Sequence, residues 1–125
     1  FWTMMKMKYG MTIKQREIVL IPFPYSDISI KKKRPVAIIS NQQYHEHNED
    51  FICCAITSRK GYIHGGVKIS NIDLEEGKLK VESTIKPSKI YSLHQKRIII
   101  KIGKLNMEKA REVIQNLNVD IRLDE

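Results

Sequence analysis

At 125 residues, 42% of them hydrophobic, the chain has the size of one domain and enough apolar side chains to bury a core without disulfides or metal. Its 22 Lys and Arg against 14 Asp and Glu leave a formal charge of +8, which favours anionic partners: nucleic acid, an acidic protein or a membrane surface. The longest apolar runs, IVLIPF and FICCAI, fall far short of the roughly 20 residues a spanning helix needs, so no membrane insertion is expected.

The opening FWTMMKMKYGM gathers Met4, Met5, Met7 and Met11 and has no continuous apolar middle, so it does not read as a secretory signal. Residues 1–15 are expected to be an N-terminal extension, partly introduced or upstream sequence, and residues 16–125 a single domain. EIVLIPF at 17–23 and VAIIS at 36–40 are dense in Val and Ile and predict buried strands. NQQYHEHNED at 41–50 predicts a solvated loop, because the pair His45 and His47 has no cysteine nearby to complete a zinc site. No metal site is expected anywhere in the chain. FICCAIT at 51–57 is a third buried strand. Its neighbours Cys53 and Cys54 point to opposite faces, where a bridge between them would be strained, and they read as reduced packing residues of a cytoplasmic protein.

A short strand, VKI, follows the turn at Gly65 and Gly66, and LKVESTI at 79–85 alternates Leu79, Val81, Ser83 and Ile85 on one face. KRIIIKIG at 96–103 closes the strands, with Gly103 placed to end the last one before Asn106 caps a helix. That helix carries the stripe Met107, Ala110, Val113, Ile114 and Leu117 and is expected to be the one long helix. Many short strands without alternating helices predict a mainly β protein, a compact antiparallel barrel with a C-terminal α-helix. There is no internal repeat and no linker.

Three groups of residues could carry chemistry. Arg34, opening the second strand, and Thr57, closing the third, can meet at one rim, where a planar fork of donors and a hydroxyl suit a phosphodiester. On these residues alone the favoured reading is a solvated arginine and a β-forming threonine. Lys31, Lys32 and Lys33, with Arg34, Arg59 and Lys60, could form a basic rim that tracks a phosphate backbone, or an exposed loop and nothing more. In HGG, His64 precedes glycines that allow close backbone approach, but a plain turn with an exposed histidine is the favoured reading. Tyr25 and Tyr62 fall in rim loops where bases could stack.

Whole segments settle more than single residues. EIVLIPFPYSD, KKKRPVAIIS, FICCAITS and IKPSKIYSLHQKRIIIKIGKL, in that order and spacing, resemble the MazF/PemK family of toxins across most of residues 16–118. The resemblance implies an SH3-like barrel that forms a homodimer, cleavage of single-stranded RNA without a cofactor, and neutralisation by a cognate acidic antitoxin. It puts Arg34 in the place of the family's active-site arginine and Thr57 in that of its threonine. Ser58 stands beside them, and FPYSDISIKKK takes the place of an RNA-contacting loop. Ser88 stands where relatives often carry an acidic residue, and His94 with Gln95 replace a more usual Asp-Lys, which bears on target sequence more than on chemistry. The reaction implied is attack of a ribose 2′-hydroxyl on the adjacent phosphate, leaving a cyclic phosphate and a 5′-hydroxyl. Two other classes stay open: a CcdB-like poison that binds DNA gyrase, and a basic barrel that binds nucleic acid without cutting it.

Overall fold

The computed structural model describes residues 12–22 and 32–125. The expectations placed on Lys31, on Tyr25 and on most of FPYSDISIKKK lie outside the described residues.

Seven strands form one antiparallel sheet: β1 (Glu17–Pro22), β2 (Lys33–Ile38), β3 (Asp50–Thr57), β4 (Val67–Ile69), β5 (Leu74–Gly77), β6 (Ser83–His94) and β7 (Ile100–Leu105). Their spatial order is β4-β6-β3-β2-β1-β7-β5. The two edge strands, β4 and β5, are consecutive in the chain and joined only by a turn of 3-10 helix at Asn71–Asp73. That short connection curls the sheet into the expected barrel-like form, with its C-terminal helix alongside.

Burial explains why the central strands read as unbroken apolar runs. One core gathers Ile18, Ala37, Cys54, Ile56, Ile85 and Leu105, together with Val113 from the C-terminal helix. A second gathers Val19, Ile21, Val36, Ile38, Phe51 and Cys53. Sequence neighbours such as Ile18 and Val19, or Cys53 and Cys54, go to different cores, so β1, β2 and β3 are covered on both faces and show no polar alternation. Burial pushes both thiols up to about 12, and they are free cysteines.

Helix α1 spans Gln42–His47 within the segment expected to be a solvated loop. Asn41 starts it by accepting a hydrogen bond from the Tyr44 N–H at 3.0 Å. His45 is only 1% exposed, with its Nε2 2.6 Å from the Ser40 hydroxyl. Ser40 in turn accepts from the Ile52 N–H at 2.9 Å, which ties the helix to β3. Helix α2, Met107–Ile121, is the one long helix among the described residues; Asn106 caps it, and Val113 and Leu117 are buried. Met107, expected in its apolar stripe, is 50% exposed instead.

Three boundaries differ from the sequence reading. Strand β2 begins at Lys33 and includes Pro35, which pairs with Leu20 of β1, while pairing with β3 starts only at Val36. The residue without an N–H therefore stands where one neighbour strand is enough. Residues 79–82 precede β6 rather than belonging to it, so Val81 is exposed while Leu79 and Ile85 are buried. Strand β7 starts later than expected, after a 3-10 turn at Gln95–Arg97, and runs through Gly103 to Leu105. Gly103 sits mid-strand opposite Gly77 because the backbones meet there. A Cβ on Gly77, whose φ is 77°, would fall 2.0 Å from the Ile102 carbonyl oxygen.

Candidate nucleic-acid interface

Pairing between β2 and β3 runs from Ile38 opposite Cys53 to Val36 opposite Ala55 and stops there, so Arg34 and Thr57 lie just beyond it at the same end of the two strands. Both residues line one groove of about 450 Å³ at this end of the sheet. Its floor is apolar, from Ile21, Val36 and Ile56, which belong to the cores, and the half-buried Ala55. A guanidinium at the end of a strand buried on both faces has a rigid base and a solvent-facing head. The Thr57 hydroxyl oxygen accepts a hydrogen bond from the Arg59 N–H at 3.1 Å, which fixes the turn out of β3 and leaves the hydroxyl proton free to donate.

Strand β6 supplies a wall that sequence reasoning did not assign. Between Cys54 opposite Ile90 and Ala55 opposite Lys86 the register slips, leaving residues 87–89 as a bulge around the buried Pro87. The bulge brings Lys86, Lys89 and Tyr91 to the groove beside Arg34, Thr57, Ser58 and Arg59. Pro inside KPSK was the available signal, since proline in a paired strand marks an edge or a bulge. Among the described residues lining the groove, Arg34, Arg59, Lys86 and Lys89 are cationic and none is Asp or Glu. Carboxylates elsewhere are engaged: Glu17 and Glu76 hold Lys101 at 3.0 and 2.7 Å, and Glu75 holds Arg16. Lys101 holds the Glu76 carboxyl below its ordinary range and is itself raised by the two carboxylates.

The remaining expected residues are distributed around this point. Lys32 and Lys33 line a second groove, which shares Arg34, Pro35, Ile56 and Ser58 with the first. Lys60 belongs to neither; it lines a third groove with Lys68, Asp73 and Glu82. Tyr62 is 86% exposed and outside all three. His64 does not line the groove of Arg34 and Thr57; it reaches helix α2, where its Nε2 lies 2.9 Å from Asp120 Oδ1. Ser88 of the bulge donates to the other Asp120 oxygen, and these two partners hold the Asp120 carboxyl below its ordinary value. Among the described residues no three His, Cys, Asp or Glu side chains come together as a metal site, and no helix is long and apolar enough to cross a membrane.

The chemistry this arrangement offers is binding of a phosphodiester by fixed cations at a rim, with a hydroxyl to orient it. No curated protein matches the chain. Solved structures match its fold at low identity. A mycobacterial endoribonuclease in complex with its cognate antitoxin has a TM-score of 0.73 at 14% identity, covering 91% of this chain and 99% of that one. MazF in a MazE-MazF crystal from Deinococcus radiodurans has a TM-score of 0.73 at 16% identity, covering 91% and 100%. The Mycobacterium tuberculosis toxin MazF-mt6 has a TM-score of 0.68 at 16% identity, covering 88% and 100%. Residues 14–119 match the family described as PemK-like, MazF-like toxins of type II toxin-antitoxin systems, and the chain belongs to that family.

Proposed function

We propose that the protein is an endoribonuclease that cuts single-stranded RNA at the rim held by Arg34 and Thr57. The observation that carries this reading is that both side chains line one groove at the ends of their strands, with four cations and no described carboxylate. The scissile phosphate would sit against the Arg34 guanidinium, whose positive charge stabilises negative charge as it develops. Thr57 would donate its hydroxyl proton to a phosphoryl oxygen and fix the phosphate's orientation. The adjacent ribose 2′-oxygen forms the new bond to phosphorus as the bond to the 5′-oxygen breaks, and the 2′-hydroxyl proton leaves while the departing oxygen gains one. Products are a 2′,3′-cyclic phosphate and a 5′-hydroxyl. Because the nucleophile belongs to the substrate, the reaction needs RNA rather than DNA and calls for no metal or cofactor.

The family membership supports a cytoplasmic toxin held in check by an acidic antitoxin and acting as a homodimer. The test is to incubate the protein with a defined RNA and its DNA counterpart, with and without EDTA, and to map the product ends. Cleavage of RNA alone, insensitive to the chelator and leaving 5′-hydroxyl ends, is the expected result. Intact RNA bound with steep salt dependence would make this a binding barrel, and activity restored only by added metal would overturn the metal-free route.

A further inference from the structure

Arg34 stands between two adjoining grooves, which share it with Pro35, Ile56 and Ser58. The second is floored by Leu20, Ile56, Leu79 and Ile102. The second has a volume of about 590 Å³ and a mostly apolar lining, ringed by Lys32, Lys33, Arg34, Lys78 and Lys80 with no Asp or Glu among its described residues. Resting on the ribonuclease reading, we propose that this second groove is an RNA-binding subsite for the nucleotides flanking the cut phosphate on one side, with Lys78 and Lys80 as its phosphate contacts.

The segment is built to present those lysines. Leu79 is buried while Lys78 and Lys80 on either side are exposed, so the chain is nailed down by its middle residue. Two hydrogen bonds fix the backbone: the Leu79 N–H donates to Asn71 Oδ1 at 2.7 Å, and the Lys78 N–H donates to the Ile102 carbonyl at 3.2 Å. Among the described residues neither lysine makes an ion pair, whereas Lys101 on the neighbouring strand β7 is held by two carboxylates. Val81, 56% exposed, adds an apolar wall beside Lys80. An apolar floor under a ring of cations fits a nucleotide, whose base has apolar faces and whose phosphate is anionic. Continuity favours RNA over an acidic peptide: both grooves share Arg34 and Ser58, so a strand with its phosphate at Arg34 and one flank along the first groove has its other flank directed into the second.

The test separates this subsite from cleavage itself. The cut site of the wild-type protein is mapped on a defined RNA; failure to cut any RNA overturns the ribonuclease reading and does not bear on binding. The subsite is read by fluorescence anisotropy with labelled 2′-O-methyl oligoribonucleotides, which cannot supply the nucleophile. One set is centred on the mapped cut site, with uridine homopolymers as a second set, each at full length and trimmed from either end. The Lys78→Ala/Lys80→Ala variant is expected to bind the full-length oligonucleotide at least fivefold more weakly than wild type. Its plot of log affinity against log salt should be shallower by about 1.4, from two lost phosphate contacts. Oligonucleotides trimmed on one particular side should bind both proteins alike. Equal affinity for every length, or an equal loss for every length, overturns the proposal. So does a variant that binds RNA normally but loses affinity for an acidic antitoxin, which would assign the groove to that partner. An unchanged melting temperature, expected for two exposed lysines, shows that any loss is not unfolding.

Discussion

Arg34 and Thr57 stand at strand ends, each paired on one side only, Arg34 with Ile21 of β1 and Thr57 with Thr84 of β6, and both line the same groove. If Arg34 carries the developing charge, Arg34→Ala should lower kcat by about 10²- to 10³-fold, the range for loss of one preorganised donor, while the melting temperature stays within a few degrees. A folded variant with full activity would remove Arg34 from the site. Thr57→Val keeps the shape and β-branching and removes one hydroxyl, so turnover should fall roughly 10- to 100-fold with RNA affinity largely kept. Lost affinity with turnover intact would make Thr57 a binding residue only. The two buried thiols on the same strand point the other way, to inertness. With both pushed up to about 12 by burial, almost no thiolate exists at pH 8, and iodoacetamide should leave Cys53 and Cys54 unmodified in the native protein, as mass spectrometry would show. Unfolded chain ionises its cysteines near the ordinary value of 9.0 while the folded chain keeps them protonated, so stability should decline as pH rises above that value.

The elements separate what the sequence shows from what it hides. Runs such as FICCAIT and EIVLIPF were legible as strands because burial on both faces leaves no polar position to confuse the pattern. Helix α1 was not, since its signal is one capping asparagine and one histidine turned inward onto Ser40, set in an otherwise polar stretch. Strand β5 was missed for a related reason: LEEG has little apolar content and is held by close backbone approach at Gly77 and Gly103 rather than by side-chain burial. The candidate site was half legible. Arg34 and Thr57 stand at strand ends that the sequence marks, but Lys86, Lys89 and Tyr91 reach them only through a register slip that spacing does not reveal. Helix α2 is fastened at its far end by Asp120 to His64 and Ser88, and one turn earlier by Asn116 donating to the Gly65 carbonyl at 2.9 Å. Both contacts fix the loop that leads from Arg59 to β4. Because the folded Asp120 carboxyl titrates below its ordinary 3.8, the stabilisation it gives is complete above that value and is lost as pH falls through the lowered one. Asp120→Asn should therefore lower the melting temperature at pH 7, and the gap from wild type should close as pH falls through the lowered value. A gap that persists in acid would mean the asparagine disturbs packing rather than removing a charge.

At the scale of the whole molecule the +8 charge is unevenly spent, because carboxylates gather around Arg16 and Lys101 and leave the grooves on either side of Arg34 basic. Eight cations line those two grooves together. If a single strand of RNA engages four of them, the slope of log affinity against log salt is about −2.8, and binding weakens roughly 50-fold between 50 and 200 mM salt. Any acidic chain that covers the same surface must compete with RNA for the same charges. The family to which the chain belongs supports such a partner, and a disordered acidic tail with apolar anchors would find both lysines and an apolar floor here. Charge should then govern how fast the partner arrives and apolar contact how long it stays, so added salt ought to slow association more than it speeds dissociation. The measurement is a titration of the product of the adjacent open reading frame into the RNA cleavage assay, with association and dissociation rates followed at several salt concentrations. Inhibition that more RNA relieves, together with a salt effect carried mainly by the association rate, is the expected outcome. A partner that binds tightly while cleavage continues, or whose association ignores salt, would place its docking surface away from Arg34 and leave the basic grooves to RNA alone.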